Sequence, residues 1–313
     1  MSPSERSVAT TPAPIAGETS TDGAGLRDRI AGAPISWGVC EVPGWGYQLS
    51  PDRVLAEMRA LGLTRTEFGP DGFLPQEPEG KARQLEAFGM RAVGGFLPVL
   101  LHDPAHDPLA QVAAFIDGCL ATRADVMVLA AHPGVDGYDD RPVLDEREWQ
   151  MLLSNLDRIA NLADARGITA SLHPHVGTMV ERGEEVERVL AGSRVGLCLD
   201  TGHLQVGGTD PGTLARAHAK RVNHVHLKDV DVAMAQLVIA GQMSYGDAVR
   251  AGMFRPLGEG DIDIADLVAT LEGSGYRGWY VLEQDIMLDS EPRGAGPVAN
   301  VRQSLDYLLE VAA

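Results

Sequence analysis

At 313 residues, 44% of them hydrophobic and 22% charged, the chain can bury one large core or two ordinary ones. Its 26 Lys and Arg against 44 Asp and Glu leave a net charge of −18, which repels phosphate backbones and argues against a general nucleic-acid binder. No run approaches the ~18–20 apolar residues of a membrane span, and Cys40, Cys119 and Cys198 are too few and scattered for a disulfide scaffold, so a reducing cytoplasm is expected.

Residues 1–32 are rich in Ser, Thr, Pro, Ala and Gly without apolar periodicity, and are expected to form a disordered leader ahead of one catalytic domain over 33–313. From Ala33 onward short apolar runs alternate with longer amphipathic ones. Strands are expected at Pro34–Val39, Arg65–Gly69, Ala92–Leu97, Val126–Ala131, Thr169–His173, Val195–Asp200, Asn223–Lys228 and Trp279–Glu283. Helical patterns lie between them. One has Pro51 in its first turn and Gly62 after its end; the clearest runs from Asp145 to Gly167. Eight such units over roughly 280 residues predict an α/β fold, a single (β/α)8 TIM barrel. The rival, an open doubly wound sheet, would usually carry a Gly-rich phosphate loop after an early strand, and none is present. Between Asp231 and Asp261 about thirty extra residues follow the seventh strand. Two helix-length stretches there, Val232–Ala240 and Tyr245–Ala251, predict a helical insertion that serves as a lid or as a subunit interface, the latter in a homo-oligomer.

Active sites of such barrels sit at the C-terminal strand ends. Of the nine histidines only His106 and His218 fall away from a predicted strand end. Side chains alternate along a strand, so if Leu197, Leu199, Val225 and Leu227 face the helices, Cys198, Asp200, His224, His226 and Lys228 face inward. The same parity turns Ser171, His173 and His175 inward on the fifth strand, and Val281 and Glu283 on the eighth. His173 to Asp200 is 27 residues and Asp200 to His226 is 26, about one repeat each; His226 to Glu283 is 57, one repeat plus the insertion. Four adjacent strands therefore present His173, Asp200, His226 and Glu283 to one point. This nitrogen and oxygen set suits one divalent ion: Mn²⁺ or Co²⁺ first, Zn²⁺ or Fe²⁺ otherwise. The ion would also relieve the repulsion of two neighbouring buried carboxylates. Cys198 and His224, one layer deeper, are expected to pack in the core.

At "HPHVGT", "LCLDTGH", "HVHLKD" and "LEQD" the sequence resembles the xylose-isomerase-like TIM barrels of the sugar isomerase/epimerase superfamily. The resemblance implies that His173, Asp200, His226 and Glu283 hold the metal. Isomerases and epimerases carry Glu where this chain has His173, a departure shared with the inosose dehydratase branch. The block His226–Ile264 is also similar to that branch's insertion, although Arg255 and Leu257 interrupt its usual wording.

The resemblance implies a hydro-lyase acting on a small cyclic ketose such as 2-keto-myo-inositol, in inositol catabolism. The ion would stabilise an enolate, from which a β-hydroxyl leaves as water. Glu283 could also reach the α-proton. Lys228 could polarise the ketone or act as a base if its pKa is depressed; otherwise it is an ion-pair partner of a ligand carboxylate. His175 and His203 could protonate the leaving group, His203 alternatively orienting Asp200. Glu67, ending the second strand, is a further acid candidate. His132, His102, Trp37 and Phe254 are candidate substrate contacts. An isomerase or epimerase of the same fold, a lyase cleaving C-glycosides of 3-keto sugars, an endonuclease-IV-like repair nuclease and a non-catalytic sugar-binding protein are the alternatives. The nuclease would want a zinc cluster and a basic groove, which the charge balance disfavours.

Overall fold

The computed structural model describes residues 25–312 apart from Asp136 and Asp139. Eight parallel strands close a barrel: β1 Ile30–Gly32, β2 Arg65–Glu67, β3 Arg91–Leu100, β4 Val126–His132, β5 Thr169–Leu172, β6 Gly196–Asp200, β7 Val222–Leu227 and β10 Tyr280–Leu282. Two short strands, β8 Asp229–Val230 and β9 Phe254–Arg255, pair antiparallel beside it. The helices are α1 Pro51–Ala60, α2 Pro78–Ala87, α3 Leu109–Thr122, α4 Glu146–Ala165, α5 Gly183–Gly192, α6 Thr201–Val206, α7 Pro211–His218, α8 Val232–Ile239, α9 Tyr245–Arg250, α10 Ile264–Gly273 and α11 Val298–Val311. None among the described residues is long and apolar enough to cross a membrane.

The alternation of side chains builds two apolar layers. Leu197, Leu199, Val225, Leu227 and Leu282 pack between barrel and helices. Ala31, Val93, Val128, Cys198 and Val281 fill the lumen. Gly94 and Gly95 on β3 permit a close approach: a Cβ on Gly94 would lie 2.5 Å from the Val126 carbonyl oxygen, and one on Gly95 would lie 2.6 Å from the Phe68 ring. The β2–β3 register shifts between Thr66 and Glu67, a bulge that leaves Glu67 at the lumen end of its strand. A second shift, between Leu197 and Cys198, sets Asp200 opposite His226. Helix α4 starts where expected, its first turn closed by a reciprocal capping box between Asp145 and Glu148.

The first strand lies earlier than expected. Ile30–Gly32 pairs with β10, while Pro34–Trp37 is a 3-10 turn. Pro34 has no N–H for a ladder, so the apolar run after it leaves the sheet. The barrel thus begins before residue 33; the rest of the expected leader, residues 1–24, lies outside the described residues. Trp37 consequently sits in that turn, fully buried, its indole donating to Glu57 at 2.8 Å.

The insertion forms α8 and α9, and its two ends are tied down. The buried Asp229 carboxylate accepts from the backbone N–H groups of Val230, Gly258, Gly260 and Ile262 at 2.8–3.0 Å.

Leu199→Ala should lower stability by about 2–5 kcal/mol, because Leu199 is wholly buried in the layer between barrel and helices. Urea unfolding monitored by circular dichroism would measure it, and a loss under ~1 kcal/mol would contradict this packing.

Candidate active site

The ends of β5, β6, β7 and β10 bring His173, Asp200, His226 and Glu283 together, each at most 8% exposed at its side chain. Asp200 both ends β6 and caps α6. Its Oδ1 accepts the His203 backbone N–H at 2.7 Å, so Oδ2 is left for the lumen. There it lies 3.1 Å from His173 Nε2, 3.5 Å from His226 Nδ1 and 3.1 Å from Lys228 Nζ. Glu283 Oε2 is 3.2 Å from His226 Nδ1 and 2.9 Å from Lys228 Nζ. The ligating atoms of Asp200, His226 and Glu283 all lie within 4.8 Å of one another, and those of His173, Asp200 and His203 form an overlapping set.

The residues fit a divalent cation. His226 donates from Nε2 to Glu67 Oε1 at 3.0 Å. Its Nδ1 then turns a lone pair toward two carboxylate oxygens and makes no hydrogen bond, although it is buried. A cation or a proton must sit between them. His173 Nδ1 is likewise buried without a partner. In the metal-free protein a proton fills the gap: burial would depress the His226 pKa, but Cys198, Glu283 and Glu67 push it well above its ordinary value.

Lys228 also sits at this centre. Burial opposes its charge, yet Asp200, Asp285 and Glu283 drive its pKa well above the usual lysine value. The depressed pKa that a lysine base requires is therefore absent, and the group is an ammonium. Glu67 is not a free acid across the mouth either. Its Oε1 accepts from His224 Nε2 at 2.8 Å as well as from His226. Burial raises its pKa, but the two imidazoles more than reverse this and hold it below the carboxylate range. It orients His226, as carboxylates commonly do for metal-ligating histidines. Asp200 is oriented by the His203 backbone, not by the His203 ring.

His175 Nδ1 lies 2.8 Å from the Val176 carbonyl oxygen, which assigns its proton to Nδ1 and leaves Nε2 a bare acceptor. Burial, then His173, lowers its pKa to about 3. The His203 ring packs on it with centroids 3.7 Å apart. Both line a cavity with His173, His226, Lys228 and Glu283. Tyr138 and Tyr245, 5.1 Å apart, stack over His175 and His203 respectively, and Trp45 packs beside both.

Four expected contacts are not in this cavity. Trp37 is core. His102 and His132 end or follow their strands away from the lining, and His132 Nδ1 accepts from Gly134. Phe254 packs behind Lys228, its ring 5.8 Å from the ammonium, and is 2% exposed. Conversely, Trp45, Tyr138, Tyr245, Glu41 and Asp285 line or roof the site unannounced. Asp285 shares the parity of Glu283 and was open to the same argument. The others sit on loops or the insertion, where strand alternation has no reach.

The xylose isomerase-like TIM barrel family matches residues 49–311. The chain belongs to that family. It is 32% identical over 297 residues to the rhizopine catabolism protein MocC of Rhizobium meliloti, covering 91% of this chain and 89% of that one. It is 31% identical over 293 residues to inosose dehydratase of Geobacillus kaustophilus, covering 90% and 93%. It is therefore an enzyme of the hydro-lyase family that the inosose dehydratases represent. Among solved structures it resembles IolI, described with a bound zinc atom, at a TM-score of 0.64 and 14% identity, covering 91% of this chain and 98% of that one. Together these place the chain among the sugar-modifying enzymes of this fold.

The histidines predict the pH dependence of the metal-free protein. His173, His175 and His203 have lowered pKa values, so below pH 6.5 the unfolded chain takes up protons that the fold refuses, and stability falls. His226, raised, acts oppositely: its contribution is complete below 6.5 and is lost as pH rises through its folded value. Three groups outweigh one, so stability should fall from pH 7 to pH 5, with His175 alone worth about 2 kcal/mol. Urea titrations at both values would show it, and His175→Gln should flatten the trend.

Proposed function

We propose that the protein is a metal-dependent dehydratase of a cyclic polyhydroxy ketone such as 2-keto-myo-inositol. One observation carries this reading: a cation-binding donor set shares its cavity with one neutral imidazole acceptor and one ammonium donor. Elimination of water across adjacent carbons needs both an acceptor and a donor. The names of the inosose dehydratase relatives support the substrate class.

His173, Asp200, His226 and Glu283 would hold the ion; the mixed nitrogen and oxygen set accommodates Mn²⁺, Co²⁺, Zn²⁺ or Fe²⁺. Bound there, the ion supplies Lewis acidity to a carbonyl oxygen and its neighbouring hydroxyl. His175 Nε2, the bare nitrogen facing the cavity, accepts the proton from the carbon next to the carbonyl; hydroxyls of a bound substrate would relieve the desolvation that holds its basicity down. Lys228 Nζ gives a proton to the β-hydroxyl as its C–O bond breaks, so that water departs and a carbon–carbon double bond forms. A high lysine pKa suits this task, because departing hydroxide is far more basic than any amine (water's pKa is ~15.7). Tyr138 and Tyr245 keep bulk water off the reacting carbons.

Purified protein with 2-keto-myo-inositol and Mn²⁺ or Co²⁺ should develop the ultraviolet absorbance of an unsaturated or dione product, and EDTA should abolish it. A new ketose without that absorbance would instead mean isomerisation. Asp200→Asn should lose most of its bound metal on dialysis, and its kcat should fall by on the order of 100-fold or more. Metal content equal to wild type would remove the proposed donor set.

A further inference from the structure

Lys228 carries three N–H donors and meets three carboxylates: Asp200 at 3.1 Å, Glu283 at 2.9 Å and Asp285 at 3.1 Å. They are not equivalent. Asp200 and Glu283 belong with His226 to the donor set that fits a cation, whereas Asp285 does not. Asp285 points its Oδ2 away, to accept the Tyr245 hydroxyl at 2.7 Å, and its buried Oδ1 makes no hydrogen bond, with the Lys228 ammonium as its ionic neighbour. All three residues are at most 5% exposed. Tyr245 comes from α9, at the heart of the insertion, where Ser244 caps the helix and the phenol ring stacks against His203.

When Asp200 and Glu283 turn their charge to a cation, Asp285 is the carboxylate left to hold the lysine. A buried ammonium without such a partner is strongly disfavoured and moves. We propose that Asp285 and Tyr245 are positioning residues that act in series: Tyr245 fixes Asp285, and Asp285 fixes the Lys228 ammonium at the substrate, so that docking of the insertion completes the active site. The proposal rests on the donor role given to Lys228 above. It assigns the insertion a part in the chemistry beyond covering the cavity.

The test uses Asp285→Asn, which keeps shape and removes charge, and Tyr245→Phe, which removes one hydroxyl. Three readouts apply to the metal-loaded full-length protein: bound metal per chain, kcat and KM on 2-keto-myo-inositol, and the Lys228 position in crystals. Asp285→Asn should keep its metal and a KM within about threefold, while kcat falls on the order of 10- to 100-fold. Tyr245→Phe should show a smaller loss of the same kind, and the double variant should be no worse than Asp285→Asn alone. Crystals of Asp285→Asn should show the ammonium displaced. An unchanged kcat, a loss of bound metal in Asp285→Asn, or additive losses in the double variant would overturn the proposal. Should Asp285→Asn fail to fold, an unchanged kcat in Tyr245→Phe overturns it equally. If wild type turns over no cyclic ketose, the proposed reaction fails, yet an unmoved Lys228 in crystals of either metal-loaded variant still refutes the positioning role.

Discussion

The site depends on the division of labour within one carboxylate. Asp200 ends a strand and opens a helix, so one oxygen is consumed by a helix N-terminal N–H and the other is forced toward the lumen. That second oxygen faces two imidazoles and an ammonium. A helix starting one residue later would release the first oxygen and blur the direction of the second. The register shift between Leu197 and Cys198 serves the same end, since it places Asp200 level with His226 on the neighbouring strand. Backbone geometry therefore aims this donor.

Around this point imidazoles and carboxylates face one another closely enough to fit a cation. His226 is locked by Glu67 on one nitrogen and confronted by carboxylates on the other. Glu67 in turn is shared with His224, whose ring is wholly buried. This inner carboxylate, ionised between two imidazoles, holds His226 still, whereas His175 and Lys228 face the cavity in opposite protonation states.

Much of this was legible in the sequence because parallel barrels obey a rigid parity. The four donors on β5, β6, β7 and β10 share one inward phase, and a repeat near 27 residues put them on neighbouring strands. The helices of the insertion were visible too, one ending before Gly241 and the other before Gly252. What failed has a physical reason in each case. Trp37 was assigned to a strand that Pro34 forbids. His102 and His132 were judged by nearness to strand ends, yet β3 and β4 run to Leu100 and His132 and carry the following residues past the cavity. Glu67 and Lys228 were placed correctly, but their roles were set by partners far away in sequence, the imidazoles of β7 for one and the carboxylates of β6 and β10 for the other. The aromatic roof could not be read at all, since Trp45 and Tyr138 come from two loops and Tyr245 from α9, and their meeting is a property of the closed fold.

The anchoring of the insertion has a consequence for how such enzymes diversify. Asp229 gathers the two roots of the segment with four backbone hydrogen bonds, and it does so without using any side chain of the segment itself. The stretch 232–253 is therefore a cassette on a fixed socket. Exchanging it for that of a sister barrel would leave His173, Asp200, His226 and Glu283 untouched while resculpting the ceiling of the cavity.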